Sequence, residues 1–236
     1  PGISQLFVAA TQPPSLNSIT PLSVIDDSFR STLYPGGILN TGFAVDWIQQ
    51  RMDGSAPYGQ AWSQEMADGG DTRCADNQVM RLQIPDLVEE IDDNSYYPDP
   101  TGDPLGDSLS PATFVDQIEV PVFLAGAWQD EQTGGHFPAM IPNFTSAPEL
   151  YVTLVNGLHT EALSPPIAER YFEFLQLYVG KKVPDLGTAN LAVPLLGAAI
   201  WGVGEFAPLD SRFAGMTYDD ALAAFENEPM VRVLFE

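Results

Sequence analysis

The sequence has 236 residues, 44% of them hydrophobic, enough to bury a sizeable core in one large domain. Nine bases against 32 acids leave a formal charge of −23, and a polyanionic surface repels phosphate backbones and anionic lipids, so nucleic acid and membrane surfaces are poor partners. No run approaches the ~18 apolar residues of a spanning helix, and Cys74, the only cysteine, excludes an internal disulfide and a thiolate metal site.

Residues 3–10 carry apolar side chains at 3, 6, 7 and 10, one face of a helix, which Pro13-Pro14 ends. Residues 16–25 read as a loop leading into a strand. Between residues 28 and 113 the texture changes to aromatic-rich, helical pieces at 43–52, 61–67, 76–84 and 85–91. Acids crowd residues 86–107 without an intervening base, and no strand periodicity shows. A helical insertion or cap fits this stretch.

The sheet pattern returns at residues 120–125, an apolar run led by β-branched residues, the profile of a buried parallel strand. Residues 137–144 predict a short helix and 150–155 a second buried strand. Ser164 can cap a helix whose first turn takes Pro165 and Pro166. Its apolar stripe reads Ile167, Tyr171, Leu175, Tyr178 and Val179, with Glu169, Arg170, Glu173 and Gln176 on the solvent side. Residues 189–213, rich in Gly, Pro and aromatics, read as a crossing segment. A short helix at 218–225 precedes a strand pattern from Met230. The chain opens on Pro1-Gly2 without a signal pattern and stops inside a strand pattern, so both ends are expected to be internal to a longer protein.

In an open parallel sheet, reacting groups sit in loops beyond the carboxyl ends of strands. Two such loops offer Asp130 and His159, separated by one crossover. An aspartate accepting from the ring N–H fixes the imidazole tautomer and leaves the other nitrogen free as a base. The plainer reading of each is a turn aspartate and a satisfied polar histidine. His136, after Gly134-Gly135, reads as structural. Gly2-Ile3-Ser4-Gln5-Leu6 lacks the second glycine of a nucleophile elbow, and Ser4 lies on the predicted helix, so it is not the nucleophile. Asp130, Glu131, His136 and His159 could be imagined around a metal, but without an HExxH-type spacing. Asp99, Asp103 and Asp107 could be imagined around Ca²⁺, but without an EF-hand pattern. Neither a metal nor a cofactor is expected.

Several segments resemble the X-Pro dipeptidyl-peptidase and cocaine-esterase (CocE/NonD) family of α/β-hydrolases. Pro1-Gly2-Ile3-Ser4-Gln5 is similar to the tail of the family's elbow, Asp27-Ser28-Phe29-Arg30 and Tyr34-Pro35-Gly36-Gly37 match further on, and residues 120–130 and Asn156-Gly157-Leu158-His159 match most strongly. Ala127 departs from the glycine usual before the tryptophan. The resemblance implies an α/β fold: an α/β-hydrolase core at residues 1–27 and 116–187, a helical cap at 28–115, and a linker with the start of a jelly-roll β-sandwich at 188–236. It implies a serine hydrolase acting on a small ester or peptide substrate, with Asp130 and His159 as triad members and the serine upstream of Pro1. Residues 1–236 alone are then expected to be inactive. Trp128, Asp27 and Glu131 become candidate substrate contacts, the two acids as part of a carboxylate cluster for a substrate amine. The alternatives are a non-catalytic binding module on the same fold and a metal-dependent hydrolase. Ester, amide and peptide bonds all remain open, as does a homo-oligomer.

Overall fold

The computed structural model describes residues 2–83, 88 and 105–235. The chain forms two compact units, Pro1–Asp27 with Ser108–Glu236, and Ser28–Asp107. The first unit opens with helix α1 (Gly2–Ala10), which buries Leu6 and Ala9. The second holds α2 (Phe43–Ser55), α3 (Ala61–Asp68) and α4 (Thr72–Gln78). Helix α4 starts earlier than the apolar pattern predicts because the Asp71 carboxylate accepts from the Cys74 N–H at 2.9 Å, an N-cap that stabilises the first turn. Apart from residue 88, the helix expected at 85–91, and with it Asp99 and Asp103, lie outside the described residues; Asp107 pairs with Arg30 at 3.2 Å.

The first unit is built on a parallel sheet of order β1-β2-β3, with β1 at Val122–Ala127, β2 at Leu150–Val155 and β3 at Val231–Leu234. The register pairs Val122 with Leu150 and Ala127 with Val155. On the far side of β1, the segment after α1 makes parallel bridges through Ile19 and Leu22. Side chains alternate across a strand, and that period divides the core in two. Val122, Leu124, Val152 and Leu154 face a cluster with Leu6, Val115, Ile118 and Met140. Phe123, Ala125, Tyr151 and Val155 face one with Ile167, Phe174, Leu177 and Phe225. With helices on both faces and buried strands, this is a partial α/β-hydrolase-type fold.

Helix α5 (Pro165–Phe174) continues through a π-helical turn, Leu175–Val179. Here the structure corrects the sequence reading: Arg170 and Glu173, expected in solvent, are buried, at 1% and 0% exposure, while Val179 is exposed. The helix lies on β1 and β2 with the helix Tyr218–Glu226 (α7) alongside, so a second face is covered. The two charges neutralise within that interface. Arg170 donates to the carbonyls of Val152 and Pro229 at 3.2 and 2.7 Å and stands 3.4 Å from Glu228, and the Glu173 carboxylate accepts from Arg212 at 2.6 and 2.8 Å.

Residues 189–201, expected as a crossing, form helix α6 (Ala189–Trp201), with Pro194 inside it and Gly202 in the left-handed conformation closing it. Between α5 and α6 lies a cavity of about 500 Å³ lined by apolar side chains, among them Ile167, Tyr171 and Leu195. The segment expected to open a jelly roll, Arg232–Glu236, also differs. Its residues within β3 pair in parallel with β2, Thr153 opposite Arg232 and Val155 opposite Leu234, as part of the same sheet. Arg232 and Arg170 both meet Glu228 and anchor this third strand to the core.

Candidate active site

Asp130 follows β1 and His159 follows β2, the two strands that lie side by side in parallel, so both loops leave the same edge of the sheet. The loops are laced at their roots: the Trp128 N–H donates to the Val155 carbonyl at 2.9 Å and the Gln129 N–H to the Gly157 carbonyl at 3.1 Å. At Gly135 a Cβ would sit 2.4 Å from the Trp128 carbonyl oxygen. Glycine is therefore required for the Asp130 loop to fold back on its own strand.

The His159 Nδ1 lies 2.8 Å from Oδ2 of Asp130 and 3.1 Å from Oδ1. A carboxylate only accepts, so Nδ1 carries the proton and Nε2 is the free nitrogen of the neutral ring. Asp130 is held in turn by its own loop, where the N–H groups of Gln132 and Thr133 each donate to Oδ1 at 2.8 Å. Burial pushes the Asp130 carboxyl up, but the bonds from His159, Thr133 and Gln132 together hold it below its ordinary range. The hydrogen bond to Asp130 raises the His159 imidazole above its usual value against the opposing effect of burial, and the charges of Asp130 and Glu131 add to the rise. The Asp130 side chain is 1% exposed and that of His159 29%. A buried acid orients a ring that reaches solvent.

Glu131 joins this pair in an unexpected way. Its Oε2 accepts from the His159 main-chain N–H at 3.0 Å, and that bond is the largest influence holding its carboxyl below the ordinary range. On the other side, the Ser23 hydroxyl donates to the His159 carbonyl at 2.7 Å. Asp130, Glu131 and His159 thus come together. Trp128 leads into the loop and is 43% exposed, and Asp27, half-buried in the chain's first segment, contributes none of these bonds. His136 is exposed at the head of the 3₁₀ helix Phe137–Asn143. Ser4 lies within α1, off any elbow. Among the described residues no three His, Cys, Asp or Glu side chains are grouped to hold a metal ion. Sequence reasoning missed Ser23: a lone loop serine carries no signal until the fold brings residues 23 and 159 together.

Comparison with known proteins bears on the family and the fold. The family model of the X-Pro dipeptidyl-peptidase (S15 family) matches residues 1–161, a stretch that includes both Asp130 and His159. No curated protein matches the chain. Two crystal structures of a CocE/NonD family hydrolase from Staphylococcus aureus resemble it, each at 20% identity, with TM-scores of 0.52 and 0.53. The likeness covers 77% of this chain and 28% of that one, so this chain corresponds to well under half of the hydrolase it resembles; at this identity the likeness speaks for the fold. With residues 1–161 matched out of 236, the chain belongs to the X-Pro dipeptidyl-peptidase (S15) family.

Proposed function

We propose that this chain carries the acid and base of a serine hydrolase, and that the complete protein cleaves an ester or amide acyl bond of a small-molecule or peptide substrate through an acyl-enzyme. The observation that carries the reading is the contact of Asp130 with His159 Nδ1 at 2.8 Å, beyond the carboxyl ends of adjacent parallel strands. In this reaction Nε2 of His159 takes the proton of the attacking serine and returns it to the leaving group, while Asp130 fixes the tautomer and steadies the imidazolium. Water then attacks the acyl-enzyme with His159 again as base.

The serine is assigned to sequence preceding Pro1. Gly2 supports that assignment: a Cβ there would lie 2.0 Å from the Leu22 carbonyl oxygen, so the start of α1 packs against the next segment with room for a glycine only. Such close helix–strand packing is what small residues around a nucleophile elbow permit. The backbone N–H after that serine would supply part of the oxyanion hole. Trp128, with its exposed indole, is proposed as a substrate contact, and Asp27 as a second one for a substrate amine.

The test is turnover of p-nitrophenyl esters and X-Pro p-nitroanilides by the complete gene product. His159→Ala and Asp130→Asn are each expected to lower kcat by about 10⁴-fold, and residues 1–236 alone are expected to be inactive. Full activity in His159→Ala, or His159-dependent turnover by residues 1–236 alone, would refute the assignment. Relative kcat/KM on the two substrate classes decides between esterase and peptidase.

A further inference from the structure

We infer that Glu131 and Ser23 are positioning residues that clamp the two peptide groups flanking the His159 Cα, so that the loop supplying the acid also fixes the main chain of the base. This inference rests on the hydrolase reading above and adds residues to it.

Three observations carry it. The His159 N–H donates to Glu131 at 3.0 Å and its carbonyl accepts from Ser23 at 2.7 Å, so each of the two peptide groups has a partner from outside the histidine's own loop. Glu131 is adjacent in sequence to Asp130, so one loop grips the ring through Asp130 and the backbone through Glu131. Ser23 is itself locked to β1, its N–H donating to the Ala125 carbonyl at 2.9 Å, and its φ of 48° places a non-glycine residue in the left-handed region. Such a conformation is unfavourable for a side-chain-bearing residue and persists where the surroundings over-determine it; here it aims the hydroxyl at the His159 carbonyl.

Both Glu131 oxygens accept bonds from the protein, Oε2 from His159 and Oε1 from the Gln132 side-chain amide at 3.2 Å. Its geometry is that of a backbone anchor, a role distinct from the expected contact to a substrate amine. The acids placed around the histidine are Asp130 on the ring, Glu131 on the N–H and Glu161, whose Oε2 accepts from the Leu158 N–H at 3.2 Å. Glu131 is the one of these that joins the two catalytic loops through the backbone.

The experiment compares Glu131→Ala, Glu131→Gln, Ser23→Ala and His159→Ala in the complete gene product, with p-nitrophenyl acetate, a neutral ester, as substrate. Glu131→Ala and Ser23→Ala are each expected to lower kcat about 10-fold with little change in KM, since misplacing a catalytic group is felt in the chemical step. Glutamine keeps an acceptor for the His159 N–H and is expected to restore most of kcat. In both Glu131 variants the acid limb of the pH–rate profile moves to lower pH, because a negative charge beside the imidazole is gone. NMR titration of the His159 ring in Glu131→Gln reads the same shift without turnover. An unaltered kcat, pH profile and ring titration in the Glu131 variants overturns the clamp. So does a Glu131→Ala defect confined to KM for amino-bearing substrates, which would favour the amine contact. Loss of turnover in His159→Ala beside an unaltered Glu131→Ala removes the clamp alone, whereas full turnover in His159→Ala removes the hydrolase reading with it.

Discussion

The Asp130 carboxylate and the His159 imidazole stabilise each other most while one is negative and the other positive, and the direction of each shift fixes the pH window. Asp130 is held below its ordinary value of 3.8, so its contribution is present above that value and is lost as pH falls through the lowered one. His159 is raised above its ordinary 6.5, so its contribution is complete below that value and is lost as pH rises through the raised one. The difference in thermal midpoint between wild type and Asp130→Asn is therefore expected to be widest between about pH 4 and 6.5 and to narrow outside it. A scan of both proteins across pH 3–9 (about one unit per step) checks this; a constant difference would mean that the pair does not titrate as a unit. Both residues were legible in the sequence because buried-strand patterns end immediately before them, which places them at the rim where chemistry is done. Ser23 was not, since nothing in its neighbours foretells the turn that aims it.

Helix α5 shows where periodicity misleads. A charged residue on a helical pattern is assigned to water by default, and Arg170 and Glu173 violate that default because partners distant in sequence meet them inside: Glu228 for Arg170 and Arg212 for Glu173. Burial raises the Glu173 carboxyl above its usual range in spite of the two bonds from Arg212. Arg212→Ala would leave that carboxylate buried without its partner, a change expected to destabilise the fold by about 3–5 kcal/mol near neutral pH. A raised folded-state value means that protonation favours the folded form, so the deficit should shrink as pH falls toward the ordinary glutamate range. Urea denaturation of wild type and variant at pH 7 and 5 measures it, and a deficit independent of pH would assign the loss to packing. Helix α6 was read as a crossing because Gly and Pro punctuate residues 189–213. Pro194 nevertheless lies within the helix, and the terminating glycine, Gly202, stands just past its end, where a left-handed residue closes the last turn.

The whole molecule carries −23 charges, a self-repulsion that opposes compaction at low ionic strength. Raising NaCl from about 10 to 150 mM shortens the Debye length from roughly 30 to 8 Å and is expected to raise the melting temperature by a few degrees; an unchanged or lower value would show that local pairs dominate over net charge.

The pairing of Ala127 with Val155 places the acid and the base at matching heights along neighbouring strands. A two-residue slip of β2 would keep every side chain on its proper face, and the two cores could still fill, yet it would carry the histidine ~6.6 Å along the strand. That displacement is more than twice the 2.8 Å separating ring and carboxylate. Under the proposed hydrolase mechanism, alignment between two strands is therefore a requirement stricter than any set by burial, and a misaligned protein would be folded and silent.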